Sequence, residues 1–412
     1  MSTRLNVLII IPELGQGGAE RAISKLSLLL EPHHQIYFLQ FNNLAQVYYP
    51  IAGELLYLNV LPSNNFLGKL SNAFKRIFRT RQIKTIYKID VSISFLEGAN
   101  YINVLSRQKD KVIISARGSI SHDIEISKSI GWIRKTVLIP WLYEKADKVV
   151  ALSEGLSEEL IEQFDISPNK LEVIYNDYDL QRIEKSAKES ISVEMENIFT
   201  RKTIVTSGRL HIQKGHSGLL EVFASIKNSF GSKYKLIIFG DGELKTQLIE
   251  LSENMGLQTY SIWSDQDLNC NDDVYFMGFE KNPYKYISKC GVFVFPSLYE
   301  GLGNALVEAL ACEIPIMATD CHSGPREVLA PPSPSNYELK EAEYAKYGIL
   351  MPHISNGQNI KVWHDTIINL LKTDTLKNRY QKIGAERITD FGNVKITNKW
   401  LNLIERIKEI RQ

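Results

Sequence analysis

Nowhere does this chain offer the roughly 18 consecutive uncharged apolar residues that a membrane-crossing helix needs. Its apolar run at residues 5–11 is short and is followed at once by Pro12, Glu13 and glycines. That pattern reads as a buried first strand rather than a secretory leader. Cysteine is scarce: Cys270, Cys290, Cys312 and Cys321 are the only four, and no two form a CxxC pair. This excludes a zinc ribbon and a disulfide framework, and it suits reduced thiols in a cytosolic protein. Net charge is nearly absent at +1, so no global field draws nucleic acid, and none is expected as a partner. Short-period repeats and low-complexity segments are also missing.

What is present is a long, ordinary globular composition. At 412 residues, 44% hydrophobic and 23% charged, the chain exceeds a single core and calls for two or three domains. Apolar runs at 5–11, 35–41, 91–95, 112–116, 148–152 and 171–175 alternate with helical patterns. The same pattern restarts at 203–207, 235–239, 274–277, 292–296, 314–319 and 348–351. Continuous apolar strands between helices imply parallel sheets covered on both faces. The expected fold is therefore α/β, with two Rossmann-like doubly wound domains facing a cleft. The domains are placed at 1–180 and 202–392, with the polar stretch 181–201 as linker. Residues 393–412 form a C-terminal helix expected to pack back on the first domain.

Ligands of such sheets bind beyond the carboxyl ends of the strands, and the charged motifs sit there. The richest runs from Phe295 to Ala311. A strand ends near Pro296, Glu300 follows in a loop with Gly301, Leu302 and Gly303, and a helix begins at Asn304 and Ala305. Free N–H groups at a helix start hold phosphate or sugar oxygens, and glycine permits close approach. Glu308 lies about one turn into the helix. Two carboxylates suit sugar and ribose hydroxyls better than phosphate; the plainer alternative is a Gly-rich turn with surface acids. Upstream, Arg209 and Lys214 follow a strand and can straddle a diphosphate, or else stand as two solvated cations. Gly240 and Gly242 end another strand, either as a tight turn or as a ligand contact. Gly278 and Phe279 end a further one. The run from Thr319 to Leu329 includes His322, a loop residue, and Gly-Pro-Arg-Glu opening a helix.

These motifs resemble the family 4 glycosyltransferases of the GT-B fold. Glu300 and Glu308, with seven residues between them, match the family's paired glutamates, and Arg209 with Lys214 matches its G-R-L…K-G segment. The resemblance implies that Glu300 meets the transferred sugar, that Glu308 meets the ribose, and that Arg209 and Lys214 hold the diphosphate. Gly240, Gly242, Gly278 and Phe279 fall where the family approaches the nucleotide. The Gly-Pro-Arg-Glu wording resembles members that build bacterial surface polysaccharides and lipid-linked oligosaccharides. In the first domain, Gly17 and Gly18 match a Gly-Gly turn that approaches the diphosphate. Glu20 breaks the GxGxxG pattern, which disfavours a nicotinamide site. Many members place a histidine after the strand near residue 116. Arg117 stands there in this chain, and His122 follows five residues on, so both are candidate catalytic groups.

Between Phe66 and Lys88 lie Lys69, Lys75, Arg76, Arg79, Arg81 and Lys84, with no acid. Leu67, Leu70, Phe74, Ile77 and Phe78 follow helical spacing. Such a helix either packs as a solvated face or touches an anionic membrane, with Trp132, Arg134, Lys135 and Trp141 extending it. The resulting expectation is a cytoplasmic, peripherally membrane-associated enzyme. It would move a sugar from a nucleoside diphosphate, UDP by preference, to a glycan or lipid-linked acceptor, with retention and without metal or other cofactor. A sugar-nucleotide epimerase of the same fold and an inactive assembly scaffold are the alternatives. Asp177-Tyr-Asp179 and Asp265-Gln-Asp267 have the form of a metal-binding pair but lack the accompanying elements.

Overall fold

A computed structural model describes residues 4–15, 17–44, 47–63, 65–120, 134–200, 202–321, 323–331, 339–354 and 357–409. The chain divides into two compact units, Met1–Asp177 with Asn393–Gln412, and Tyr178–Gly392.

The first unit holds β1 (Asn6–Ile11), β2 (Gln35–Gln40), β3 (Glu54–Tyr57), β4 (Val91–Phe95), β5 (Lys111–Ala116), β6 (Lys148–Ala151) and β7 (Leu171–Val173). Their order is β3-β2-β1-β4-β5-β6-β7, with parallel pairing throughout. The apolar run of β1 follows from this position, because both of its faces are covered. Val7, Ile9 and Ile11 join Ile23, Leu26 and Leu30 of the helix Gly18–Leu30, and Trp400, Leu403 and Ile404 of the helix Asn393–Glu409. The alternate residues Leu8 and Ile10 pack on Leu39, Phe41 and Ile102. Trp400 stacks on Phe95 at 6.3 Å, which anchors the C-terminal helix to the first unit. Truncating such a buried aromatic costs about 3–5 kcal/mol.

The second unit holds β8 (Thr203–Ser207), β9 (Lys235–Phe239), β10 (Thr259–Ser261), β11 (Val274–Gly278), β12 (Val292–Phe295), β13 (Ile316–Thr319), β14 (Glu343–Tyr344) and β15 (Ile349–Met351). The order is β10-β11-β9-β8-β12-β13-β15-β14, parallel except for the edge pair β14–β15. Trp363, fully buried in this core, donates its indole N–H to the Pro352 carbonyl at 2.8 Å.

Two features differ from the sequence reading. The stretch 181–201 is not a free linker: it carries the helices Leu180–Ala187 and Val193–Ile198 and belongs to the second unit. Asn282 donates to the Ser186 carbonyl, Ser288 donates to the Ala187 carbonyl, and Phe199 stacks on Phe239. Lys84 is not part of a solvent face either. It is fully buried and paired to Asp110 at 2.8 Å, with Asn103 accepting from its ammonium. Burial pulls its pKa down to about 8, against the attraction of Asp110.

Each sheet has one point where the winding reverses. In the first unit it lies between β1 and β4, and in the second between β8 and β12. Doubly wound sheets take ligands in the crevice at that point.

Candidate functional site

At the reversal point of the second unit, the loop after β8 meets the loop after β12. The first runs through Arg209 into the short turn Ile212–Lys214 and then the helix His216–Phe230. Two hydrogen bonds tie the loops. Gln213 donates its side-chain amide to the Tyr299 carbonyl at 2.8 Å, and the Leu298 N–H donates to the Gln213 carbonyl at 2.7 Å. Gly215 adopts a positive φ of 64°, and a Cβ there would collide with the Pro296 carbonyl, so the close approach of the two loops requires glycine. On the other flank, Gly240 and Gly242 stand against the Gly208 and Leu210 carbonyls. Both are thus accounted for by backbone packing that holds the Arg209 loop in place.

This arrangement brings Lys214 and Glu300 together. The Lys214 ammonium lies 2.5 Å from Glu300 Oε1, and the two side chains are 20% and 7% exposed. A carboxylate this buried needs such a partner. Arg209 turns elsewhere: its guanidinium meets Glu243 at 3.1 Å, and His211 lies 3.4 Å from the same carboxylate. The adjoining His216 is buried, and burial and the Lys214 charge together hold its pKa down to about 3, so the imidazole is neutral.

The loop of Gly301, Leu302 and Gly303 leads into the helix Asn304–Ala311, which carries half-buried Ala305 and Glu308. Asn304 accepts a hydrogen bond from the Tyr178 hydroxyl at 2.6 Å. A brace missed in the sequence comes from the loop after β13. Ser323 donates to the Glu300 carbonyl at 2.6 Å, and Arg326 is held by Asp320 at 2.6 Å and by Glu343 at 2.8 Å. The Gly-Pro-Arg-Glu wording therefore encodes a support for the Glu300 loop. His322 lies outside the described residues. Gly278 and Phe279 end β11, with Phe279 exposed.

In the first unit, Gly17 caps the helix that starts at Gly18, after β1. Burial and the nearby Glu13 raise the pKa of Glu20 in its first turn. Arg117 lies 3.7 Å over the Phe95 ring and donates to Asn176 at 3.0 Å. His122 lies outside the described residues, as does Trp132. Leu96 after β4 has φ 72° and ψ 146°, a conformation rare for a residue with a side chain. It precedes Glu97, which accepts from the Tyr143 hydroxyl. Neither residue carries a sequence motif; only the backbone reveals them.

The helix Phe66–Ile86 shows a stripe of exposed apolar residues: Leu67 76%, Leu70 47%, Phe74 65% and Phe78 62%. Its cations are not all available to a surface partner. Besides Lys84, Arg76 donates to the Val60 carbonyl and lies 4.5 Å over Phe41, and Arg79 donates to the Leu58 and Asn59 carbonyls. Trp141 is exposed, with Lys145 3.8 Å over its ring. Among the described residues, no helix is long and apolar enough to cross a membrane.

Residues 16–182 match the family model described as Glycosyltransferase Family 4, and residues 188–334 match that described as Glycosyl transferases group 1. A curated relative from Campylobacter jejuni is 29% identical over 96% of this chain and 98% of its own length. It is named N-acetylgalactosamine-N,N'-diacetylbacillosaminyl-diphospho-undecaprenol 4-alpha-N-acetylgalactosaminyltransferase. The amylovoran biosynthesis glycosyltransferase AmsD of Erwinia amylovora is 24% identical over 97% of this chain and 99% of its own. Among solved structures, HepE of Anabaena in complex with UDP and glucose has a TM-score of 0.71 at 16% identity, covering 98% of this chain and 100% of that one. Sucrose-phosphate synthase of Thermosynechococcus elongatus has a TM-score of 0.75 at 15% identity, covering 99% and 100%. With both family models matched in sequence order and the two parallel sheets of the GT-B fold, the chain belongs to the family 4 glycosyltransferases.

Proposed function

We propose that this glycosyltransferase moves a sugar from a UDP-linked donor, bound at the β8–β12 reversal point, to a lipid-linked saccharide in cell-surface polysaccharide assembly. The observation that carries the reading is the buried Lys214–Glu300 pair at that point. A cation and a carboxylate side by side suit a ligand that presents a diphosphate next to a polyhydroxylated ring. Arg209 and Lys214 stabilise the departing nucleoside diphosphate, while Glu300 accepts hydrogen bonds from the sugar and Glu308 from the ribose. The bond from the anomeric carbon to phosphate oxygen breaks, and the bond to the acceptor oxygen forms on the same face. The departing phosphate oxygen takes the acceptor's proton. Protein cations carry the charge stabilisation in this scheme, without a metal.

The UDP complex of HepE supports the base, and the undecaprenyl-diphosphate acceptor in the Campylobacter relative's name supports the lipid. The apolar stripe of the helix Phe66–Ile86, bordered by Lys69, Lys75 and Arg81, supports reversible contact with an anionic membrane at the cytoplasmic face. The test is a panel of nucleotide sugars incubated with polyprenyl-diphosphate-linked saccharides, with the product's anomeric configuration read by NMR. The expected result is transfer from a UDP-sugar with retention, undiminished by EDTA. Donor isomerisation without acceptor favours the epimerase instead, and no turnover across the panel contradicts the proposal.

A further inference from the structure

We infer that Tyr178 is a positioning residue for donor binding: through Asn304, its hydroxyl sets the first turn of the helix that carries Glu308. The inference rests on the nucleotide-donor reading, in which Glu308 meets the ribose, and adds the group that places this carboxylate.

Tyr178 is the middle residue of Asp177-Tyr-Asp179, which in sequence has the form of a metal-binding pair. In the structure the two carboxylates have separate partners. Asp177 lies 3.5 Å from the Lys25 ammonium, which also donates to its carbonyl at 2.9 Å. Asp179 caps the helix Leu180–Ala187 by accepting from the Arg182 N–H at 3.0 Å. Between them, the chain enters the second unit at Tyr178, and it leaves that unit at Gly392. These two residues form a parallel β-bridge, and the Tyr178 N–H donates to the Phe391 carbonyl at 3.0 Å. The phenol ring packs edge-on against Phe391, 6.4 Å between centroids, and Tyr178 is 3% exposed. Backbone and ring are thus held, which makes the hydroxyl a donor of fixed position.

That hydroxyl donates to Asn304 Oδ1 at 2.6 Å. The helix it reaches has little of its own to fix its start. Gly303 occupies the cap position, at φ 88°, and has no side chain to hold the first turn. At eight residues the helix is also too short to be stable by itself, so its placement depends on tertiary contacts. Residues four apart share one helical face, which makes Asn304 and Glu308 neighbours on it. Fixing Asn304 sets the rotation of the helix about its own axis, and with it the direction in which Glu308 leaves the helix.

Calorimetric titration of the full-length protein with UDP, and separately with a UDP analogue lacking both ribose hydroxyls, tests the assignment. Tyr178→Phe keeps the ring on Phe391 and removes only the hydroxyl. It is expected to weaken UDP binding about fivefold, the effect of one neutral hydrogen bond. The dideoxy analogue offers Glu308 nothing to hold, so it is expected to bind wild type and Tyr178→Phe alike. Asn304→Ala is expected to match Tyr178→Phe, and the double variant to lose nothing more. Tyr380→Phe removes another buried hydroxyl contact of the same unit, 3.2 Å from the Ala345 carbonyl, and is expected to bind UDP as wild type does. Unchanged UDP affinity in Tyr178→Phe overturns the inference alone. Equal weakening of both ligands, a further loss in the double variant, or a matching loss in Tyr380→Phe does the same. Wild-type protein that fails to bind UDP overturns the donor reading itself, and the inference with it.

Discussion

Lys214 Nζ sits 2.5 Å from Glu300 Oε1, and the carboxylate it neutralises is almost wholly buried. Under the proposed function, each occupies the other until a donor separates their tasks. Glu300→Gln removes a charge that competes with the diphosphate for Lys214. UDP binding should tighten about fivefold, the effect of one unit charge at close range in a wet site. Transfer should fall by about a hundredfold or more, because contact with the reacting sugar is lost. Calorimetry and steady-state kinetics separate the two effects. Weaker UDP binding in this variant goes against the assigned roles.

Stability provides an independent check on the same pair. Lys214→Ala leaves a buried carboxylate without its cation, which should cost about 3 kcal/mol. The double variant Lys214→Ala, Glu300→Gln removes that charge and should recover much of the loss. Urea unfolding of the three variants measures it. Additive losses would show that the contact contributes nothing.

Arg209 presents the opposite case. Its pair with Glu243 is exposed, with side chains 69% and 47% open, so Arg209→Ala should change unfolding free energy by less than about 1 kcal/mol. Turnover should nonetheless drop by about a hundredfold if the guanidinium grips the leaving diphosphate. A variant that loses stability but retains kcat would make Arg209 a structural residue.

His216 makes the donor unit sensitive to acid. Its folded pKa is lowered to about 3, so the unfolded chain binds the proton first. Above about pH 6.5 this group has no effect, and below it stability falls by about 1.4 kcal/mol per pH unit. Between pH 6.5 and 5.0 the loss should be about 2 kcal/mol. His216→Asn should flatten that part of the pH profile, whatever it does to stability at pH 8. Parallel profiles for the two proteins count against the prediction.

Membrane contact should depend on the apolar stripe more than on the helix cations. Leu70→Ser, Phe74→Ser and Phe78→Ser together should abolish sedimentation with anionic liposomes, since these side chains are exposed and their loss removes little packing. Arg76→Glu and Arg79→Glu disturb carbonyl contacts within the fold, so they report on stability as well as on charge. Liposome binding by the triple serine variant would remove the membrane role from this face.

Much of the architecture is written in the strands. The run in β1 is apolar at nearly every residue because each of its faces meets its own core, and that doubled demand is visible without coordinates. The short edge strands β3, β10 and β14 carry no such pressure and leave no comparable signal. At the site, Glu300, Lys214 and Arg209 stand out because charge beside glycine is chemically unusual. Ser323 does not, since its importance comes from which loop it rests on. Lys84 shows the converse failure. Helical spacing reveals a face but not its direction, and the carboxylate that pairs with this buried lysine, Asp110, lies on another segment. The segment 181–201 reads as a linker for a similar reason: its polar composition conceals the hydrogen bonds that hold it to the second unit.

The most direct test of the donor site is a calorimetric titration of UDP into wild-type protein and into the double variant Arg209→Ala, Lys214→Ala. Charge-assisted contacts of this kind contribute about 1.5–3 kcal/mol each, so their joint loss should weaken UDP binding by at least about a hundredfold. Folding of the variant is confirmed by circular dichroism in the same buffer. Equal UDP affinity in the folded double variant and the wild type would contradict the placement of the donor at the β8–β12 reversal point.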